Sequence, residues 1–358
     1  MKTQSKLWTV IGAVFLLLAM TTNSLLWEAP SHAADTSPAK APASRQKLQL
    51  LDAGRHDSGL PSNGEPRAED EFWMISARGL GSGPVNLKVE FDLRVYRNGN
   101  GWKETELDQF LDTQKMADKV TIFYVHGNRK NANQAVDEGH LVYRGLLQTR
   151  PHMQPLRFVI WSWPSEKIRG IFRDARVKAY RADVHAVHLG KLLTQLEQHA
   201  VQDLQISIVG YSFGARLALG ALHLWAGGEL GGTRLDQRDE PHRMRARVTL
   251  LAAAEHNYWL QPGAYHGDAL RRIDHLILVQ NSRDPVLKRY WLMNVHSRPR
   301  ALGYTGIAGL SLISGGEQRI AHYNLNNRSH NLNAYFHWDY YVEPMRRNIL
   351  WEPIDAAE

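Results

Sequence analysis

The chain has 358 residues, of which 43% are hydrophobic and 22% are charged, and it contains no cysteine. This composition is typical of a globular protein and excludes a disordered chain or a repetitive fibre. The lack of cysteine excludes a disulfide scaffold, a thiolate zinc site, an iron–sulfur cluster and a cysteine nucleophile. The formal net charge of +7 suits an anionic partner but does not by itself indicate nucleic-acid binding.

The first 33 residues have the pattern of an export signal. Lys2 and Lys6 precede an apolar run from Leu7 to Met20, and Ser31-His32-Ala33 offers small residues where a signal peptidase would cut. The apolar run is short for a membrane span, which needs about 20 residues. We therefore expect residues 1–33 to be a signal peptide that exports the chain, with an uncleaved N-terminal membrane anchor as the alternative.

Residues 34–70 are rich in Ala, Pro, Ser, Gly and charged side chains and show no sustained apolar period. Such a segment cannot bury enough apolar surface to offset the entropy lost on ordering, so we expect a flexible tether. The remaining residues, 71–358, have a suitable length for one α/β domain.

Strand and helix patterns alternate through residues 71–358. The predicted strands are Phe72–Ala77, Leu87–Tyr96, Val120–Val125, Phe158–Trp161, Ile206–Val209, Val248–Ala253 and Leu276–Val279. The predicted helices are Ala132–Leu147, Arg173–His199, Ala215–Trp225 and Asp284–Met293. Nearly continuous apolar strands are typical of strands that are buried on both faces. The alternation therefore predicts an α/β fold with a mostly parallel central sheet and helices on both faces.

The clearest chemical pattern is the G-x-S-x-G motif at residues 210–214, which has Ser212 at its centre. The motif follows a predicted strand and opens a predicted helix, so Ser212 would sit on a tight turn that exposes its hydroxyl. The two glycines leave room for that turn. The Phe213 N–H would lie at the helix N-terminus, where it can stabilise an oxyanion. We predict that Ser212 is a nucleophile, and a plain tight turn is the alternative.

A second pattern is His126-Gly127, directly after the predicted strand Val120–Val125. In hydrolases of this strand–turn–helix type, the loop after such a strand supplies a second oxyanion N–H. The backbone amide of Asn128, or that of Gly127, could supply it here. We expect His126 to brace the loop rather than to transfer protons.

Three segments resemble motifs of a largely uncharacterised bacterial α/β-hydrolase family that is lipase- or esterase-like. Tyr124–Asn128 resembles its F-V-H-G-Y-N motif, Trp161–Ser165 resembles its F-S-W-P-S segment, and Ile208–Arg216 resembles its I-I-A-H-S-M-G-N-R stretch. Tyr211 stands where the family has histidine, and Asn128 stands where it has tyrosine. The resemblance implies an α/β-hydrolase fold and serine hydrolase chemistry.

An acid and then a histidine follow the serine in the chain order of this fold. Asp284 follows the predicted strand Leu276–Val279 and resembles the family's acid in its S-R-N-D segment. Its carboxylate would accept a hydrogen bond from the histidine Nδ1–H and fix the tautomer. Because Pro285 follows, Asp284 could instead only cap a helix. The second candidate acid is Glu255, at the end of the predicted strand Val248–Ala253.

Two histidines compete for the role of the base. His337 lies ahead of the expected last helix, in a segment that resembles the family's G-H-S-Y-F segment, and His330 lies seven residues earlier in the same loop. Unperturbed imidazole titrates near pH ~6.5, so either side chain could accept a proton around neutrality. We predict His337, with His330 as the alternative.

Several weaker patterns concern metals and partners. His185 and His188 have a spacing that could hold a metal, but no further ligands follow at recognisable spacing, so we expect a partly exposed helical face and no metal or organic cofactor. Basic residues are crowded in two regions, but neither region has the aromatic interleaving of a nucleic-acid site, so we expect no nucleic-acid partner. Weak contact with an anionic membrane surface is a secondary expectation. The basic residues concerned are Arg169, Arg173, Arg176, Lys178, Arg181, Arg243, Arg245 and Arg247.

The patterns together predict an exported serine hydrolase that cleaves a small-molecule or lipid acyl ester. Ser212, His337 and Asp284 would form the catalytic triad, and the amides of Phe213 and Asn128 would form the oxyanion hole. A peptidase, a thioesterase or an acyltransferase would use the same residues. The alternative from another class is a non-catalytic cell-envelope binding module on a hydrolase scaffold.

Overall fold

The computed structural model describes residues 66–81, 91–97, 100–112, 116, 118–147, 154–200, 202–235, 244–337 and 339–354. The predicted signal peptide or anchor lies outside these residues, and so does the predicted tether apart from residues 66–70. No helix within the described residues is long and apolar enough to cross a membrane.

A nine-stranded sheet is at the centre of the described part of the chain. Its strands are β1 (Glu71–Ser76), β2 (Asp92–Arg97), β3 (Gly101–Thr105), β4 (Val120–Val125), β5 (Leu156–Ser162), β6 (Ile206–Tyr211), β7 (Ala246–Leu251), β8 (Ile273–Gln280) and β9 (Ile320–Asn324). Their order across the sheet is β3-β2-β1-β5-β4-β6-β7-β8-β9. In this order, all neighbouring pairs from β1 through β5 to β9 are parallel, and the pairs β1–β2 and β2–β3 are antiparallel.

The helices connect the strands. They are α1 (Leu107–Phe110), α2 (Ala132–Val142), α3 (Ile171–His199), α4 (Phe213–Trp225), α5 (Leu302–Thr305), α6 (Gly316–Arg319) and α7 (Asp339–Ile349). A π-helical turn at Tyr143–Leu147 continues α2, and short 3-10 helices occur at Ala269–Arg272, Leu287–Met293, Leu310–Leu312 and Leu332–Phe336. The Asn131 side chain caps α2 by accepting a hydrogen bond from the Gln134 N–H, and the Gln134 side chain accepts one from the Asn131 N–H.

The central strands are buried because helices cover both faces of the sheet. Every residue of β4, β5 and β6 is buried. On β6, the Ser207 hydroxyl donates to the Ile349 carbonyl of α7 at 2.7 Å, whereas Gly210 lies against Ala215 of α4. Residues three apart in a strand point to opposite faces, so α7 and α4 lie on opposite sides of the sheet. The predicted mostly parallel sheet with helices on both faces is confirmed, and the fold is that of an α/β-hydrolase.

The sequence patterns missed both edge strands. Strand β3 has no buried residue, and in β9 only Ile320 is buried, since an edge strand has a neighbour on one side only. The predicted helix at Asp284–Met293 is a 3-10 helix at Leu287–Met293. Residues 87–90 of the predicted second strand lie outside the described residues.

Candidate active site

Ser212 occupies a sharp turn between β6 and α4. Its backbone has φ 54° and ψ −121°, a conformation that costs a non-glycine residue about 1–3 kcal/mol. Three backbone hydrogen bonds hold it there. The Ser212 N–H donates to Leu251 O at 3.0 Å, and the Ser212 carbonyl accepts from the N–H groups of Ala215 and Ala254, each at 3.1 Å. The strained turn is therefore held on both sides by neighbouring backbone.

The two glycines of the motif are required by close backbone contacts. A Cβ atom at Gly210 would lie 2.7 Å from Ala215 Cα, and one at Gly214 would lie 2.0 Å from the Val125 carbonyl oxygen. Both distances are far below van der Waals contact, and the obstructing atoms belong to the backbone. The contacts agree with the sequence argument that the glycines leave room for the turn, and the contact at Gly214 also brings α4 against the end of β4.

A chain of hydrogen bonds connects Ser212, His330 and Asp284. The Ser212 Oγ lies 3.1 Å from His330 Nε2, and His330 Nδ1 lies 2.5 Å from Asp284 Oδ2. In the tautomer that these partners require, Nδ1–H donates to the carboxylate and Nε2 accepts from the serine hydroxyl. The Asp284 side chain is fully buried, while 20% of the His330 side chain is exposed. The imidazole can therefore take a proton from Ser212 and give it to a group that enters from solvent.

The structure corrects the choice of histidine. His337 is exposed at the end of the 3-10 helix Leu332–Phe336, and among the described residues no hydrogen bond joins it to Ser212 or Asp284. Leu332 and Tyr335 point into the core. The 3-10 helix thus keeps His337 on the outer surface, and the loop that follows β9 brings His330 to the serine.

Asp284 makes the contacts of both alternatives that the sequence offered, a hydrogen bond to a histidine and a helix cap. Its Oδ2 faces His330, and its Oδ1 accepts from the N–H groups of Val286 at 2.8 Å and Leu287 at 3.0 Å. The capping bonds fix the carboxylate, so the oxygen that faces the imidazole is held in place.

The second candidate acid, Glu255, lies in a separate buried pair. Its Oε1 is 3.0 Å from His266 Nδ1, and both side chains are completely buried. Burial raises the pKa of Glu255 well above its ordinary value and lowers the pKa of His266 to about 3. Both shifts favour the uncharged forms of the two side chains, and the hydrogen bond to His266 keeps Glu255 in this pair, whereas Asp284 is the acid that contacts His330.

Two further side chains hold the loop that carries His330. The buried Asn281 amide donates to Ser329 O at 2.8 Å and accepts from the Asn327 N–H at 2.9 Å. The Tyr211 hydroxyl donates to the carbonyl of His330 itself. Sequence reasoning missed both roles. The available signal was that Asn281 directly follows β8 and that Tyr211 directly precedes Ser212.

The loop after β4 lies against the serine. A Cβ atom at Gly127 would be 3.3 Å from Ser212 Cβ and 2.8 Å from the Tyr211 ring. The buried His126 ring donates from Nδ1 to Gly127 O at 2.9 Å and accepts at Nε2 from the Trp163 N–H at 3.1 Å. Burial lowers the pKa of His126 well below its ordinary value. A neutral His126 therefore braces this loop, as the sequence argument expected.

The two predicted oxyanion donors have free N–H groups. Within the described residues, the backbone amides of Asn128 and Phe213 donate no hydrogen bond to the chain. Since the Gly127 carbonyl faces His126, the Asn128 N–H of the same trans peptide points the opposite way. Their role towards an oxyanion stays a prediction, and the geometry leaves both amides available for it.

Asp174 anchors the loop to helix α3. Its carboxylate accepts from Arg129 Nε at 2.7 Å, Ile168 N at 3.1 Å, Lys178 Nζ at 3.3 Å and Asn128 Nδ2 at 3.4 Å. Burial alone would raise the pKa of Asp174, but these donors lower it below its ordinary value. The charged carboxylate therefore fixes the segment that carries the Asn128 amide.

His185 and His188 do not lie on the partly exposed helical face that the sequence predicted. Both side chains are buried, and burial lowers their pKa values to about 3 and about 4. The part of the chain that the structure describes holds no group of three or more His, Cys, Asp or Glu residues that could bind a metal.

Comparisons with known proteins give no family. No family model matches the chain, and no curated protein matches it. Similar solved structures include the product of the gene lin2722 from Listeria innocua, with a TM-score of 0.37 and 10% identity over 66% of this chain and 96% of that chain. Acyl-protein thioesterase 2 from Zea mays has a TM-score of 0.36 and 16% identity over 64% of this chain and 94% of that chain. The assignment of the fold rests on the strand order of the sheet and on the turn at Ser212.

Proposed function

We propose that the chain is a serine hydrolase that cleaves acyl esters through Ser212, His330 and Asp284. The observation that carries the proposal is the continuous hydrogen-bond chain between these three side chains, with Ser212 on a strained turn at a helix N-terminus. His330 here replaces the His337 of the sequence prediction. A nucleophile, a base and an orienting carboxylate in this order are the requirements of acyl transfer.

In the acylation step, Ser212 Oγ attacks the ester carbonyl carbon while His330 Nε2 takes the hydroxyl proton. The carbonyl oxygen becomes an oxyanion, which the N–H groups of Phe213 and Asn128 would hold, each such donor being worth about 3–4 kcal/mol of the barrier. The carbon–oxygen bond to the alcohol then breaks, and His330 gives its proton to the leaving alcohol. Asp284 stabilises the imidazolium that exists in between.

In the second step a water molecule attacks the acyl-enzyme, and His330 takes its proton. The bond between Ser212 Oγ and the acyl carbon breaks, the acid is released, and the proton returns to the serine. Water and the chain's own residues supply every group in this sequence, so we propose no cofactor.

An apolar acyl group is the substrate that the surrounding side chains favour. The segment after β7 includes Ala254, whose N–H donates to the Ser212 carbonyl, and it continues into aromatic residues. The His256 ring stacks on Trp259 at 4.1 Å, and Tyr258 and Tyr290 contact His256 edge-on. Aromatic surface in the segment that contacts the Ser212 backbone suits an apolar chain better than a charged one.

We further propose that the chain is exported and belongs to the bacterial α/β-hydrolase family that its motifs resemble. The apolar run Leu7–Met20 and the small residues before Ala34 support export. N-terminal sequencing of the protein from a bacterial host tests this, since cleavage would give a chain that begins at Ala34. An intact N-terminus in the membrane fraction would favour an anchor.

The catalytic proposal is tested by labelling the purified protein with a fluorophosphonate and locating the adduct by mass spectrometry. We expect one adduct, on Ser212, and none in Ser212→Ala. His330→Ala should label at least about 100-fold more slowly because the base is lost. His337→Ala is the matched control and should label at the wild-type rate.

Two results would contradict the assignment. Loss of labelling in His337→Ala with normal labelling in His330→Ala would return the base to His337. A folded wild-type protein that neither labels nor hydrolyses p-nitrophenyl esters of any chain length would favour a non-catalytic binding module.

A further inference from the structure

An exposed surface with both apolar and basic side chains lies at the start of helix α3. Ile171 is 72% exposed and Phe172 is 48% exposed, and the cations around them are also exposed. We call this surface the basic–apolar patch. It consists of Lys167, Arg169, Ile171, Phe172, Arg173 and Arg176.

The four cations of the patch have no acidic partner within the described residues. Of the nearby acids, Glu166 is paired with Arg78, and Asp174 is buried against Arg129 and Lys178. The patch therefore presents an uncompensated positive charge to solvent. Arg181, which the sequence grouped with these cations, instead donates to Pro164 O.

Folding does not explain this choice of residues. Cations in the first turns of a helix oppose the helix dipole, which favours acidic side chains there. Ile171 and Phe172 leave 72% and 48% of their surface exposed, and neighbouring exposed apolar side chains commonly mark an interaction surface. The position of these side chains is therefore better explained by a binding partner than by the stability of the fold.

The patch lies at the carboxyl ends of the parallel strands, which is also where Ser212 lies. Asp174, one position beyond Arg173, binds Arg129 and Asn128. These residues continue the loop in which Gly127 lies against Ser212. A surface that approached the patch would therefore lie beside the entrance to the candidate active site.

A similar surface lies on the other side of the serine strand. Strands β5 and β8 each lie two positions from β6 in the sheet, and the segment after β8 exposes 55% of Val286 and 40% of Trp291. Lys288 and Arg289 are exposed beside them, and residues 285–300 contain no acidic residue. Positive charge and exposed apolar side chains therefore occur together on both sides of the candidate active site.

We infer that the basic–apolar patch docks the chain on an anionic lipid surface. The cations would bind lipid phosphates, and Ile171 and Phe172 would enter the boundary between headgroups and acyl chains. The positive charge of the patch favours an anionic surface, and its two adjacent apolar side chains can enter the lipid boundary without a shaped protein pocket. The inference is independent of the proposed hydrolase activity, because the patch includes none of the residues that act on the ester.

The test is binding of the full chain to vesicles of phosphatidylcholine with and without phosphatidylglycerol, measured by co-sedimentation. All proteins carry Ser212→Ala, so that lipid is not hydrolysed. We expect phosphatidylglycerol to strengthen binding and added salt to weaken it, since salt screens exposed charges. Arg173→Glu/Arg176→Glu should reduce affinity for the anionic vesicles at least about thirtyfold, and Ile171→Ser/Phe172→Ser should reduce it about tenfold.

The matched control is Lys103→Glu/Arg245→Glu, which makes the same change in net charge. Lys103 lies on the edge strand β3, and Arg245 precedes β7 at the opposite end of the strands from Ser212. This variant should lose less than about threefold in affinity. The N-terminal apolar run is the same in every protein, so differences in affinity between variants come from the patch.

Equal losses in the two charge variants, or equal binding to both kinds of vesicle, would overturn the inference. Vesicle binding by these proteins, together with no fluorophosphonate labelling of the folded wild-type protein, would refute the hydrolase proposal alone.

Discussion

At the scale of single residues, the main feature of the candidate site is that the two oxygens of the Asp284 carboxylate have different partners. One oxygen accepts two backbone N–H groups, and the other faces His330. Capping by itself needs only an acceptor, which asparagine also supplies. Orienting the imidazole needs an acceptor at the second position, which an asparagine NH₂ group cannot be. The two roles can therefore be separated by substitution.

We expect Asp284→Asn to fold normally and to lose about 10⁴-fold in kcat, because the histidine would be held in the wrong tautomer. Asp284→Ala should lose activity to a similar degree and also about 1 kcal/mol in the free energy of unfolding, because the cap is lost. Ester hydrolysis and urea denaturation measure the two effects. An Asp284→Asn protein with near wild-type kcat would show that the carboxylate is only a cap.

At the scale of secondary-structure elements, the candidate active site depends on how closely helix α4 approaches the end of β4. The contact occurs at Gly214, where any side chain would meet the carbonyl oxygens of Val125 and His126. Neither backbone segment can move freely, since β4 is buried between β5 and β6. The same contact brings the loop with Gly127 to Ser212.

Gly214→Ala should therefore lower the free energy of unfolding by about 3 kcal/mol or more, because overpacking against backbone cannot be relieved by a rotamer change. Gly79→Ala is the control. No atom lies within 4 Å of a Cβ built at Gly79, so its effect should stay within about 1 kcal/mol. Denaturant unfolding of both proteins measures the difference, and similar stabilities would show that α4 can move away from β4.

At the scale of the whole molecule, buried neutral histidines connect folding to pH. His126, His185 and His266 are completely buried in different regions, and burial lowers all three pKa values. In the unfolded chain each would titrate near pH ~6.5. Between the folded and unfolded pKa values the unfolded chain binds more protons, so acid favours unfolding. The stability that these groups contribute is complete above about pH 6.5 and is lost progressively below it.

We expect the unfolding temperature to fall steadily from pH 7 to pH 5, since each such histidine adds a slope of about 1.4 kcal/mol per pH unit. His185→Leu should make this slope shallower. His199→Leu, on the same helix α3 but at an exposed position, should leave it unchanged. Thermal denaturation across this pH range measures the slopes. An unchanged slope in His185→Leu would mean that His185 takes up no proton on unfolding.

The amino-acid sequence by itself determined the features that depend on neighbouring residues. The strand, the tight turn and the helix around Ser212 lie within 20 residues, from Ile206 to Trp225. Their apolar runs and glycine spacing are local signals of burial and of turn geometry. The alternation of such units also determined the α/β class, because buried parallel strands must be connected by covering helices.

Only the tertiary structure decided which distant side chains meet. Ser212 and His330 are 118 positions apart, and His330 and Asp284 are 46 positions apart. No local pattern distinguishes His330 from His337, which share one stretch of chain. The difference arises because β9 ends beside β8 and a 3-10 helix then buries Leu332 and Tyr335, which leaves His337 outside. Residue type and spacing specify the chemistry that is available, whereas packing between distant segments specifies which atoms come within hydrogen-bond distance.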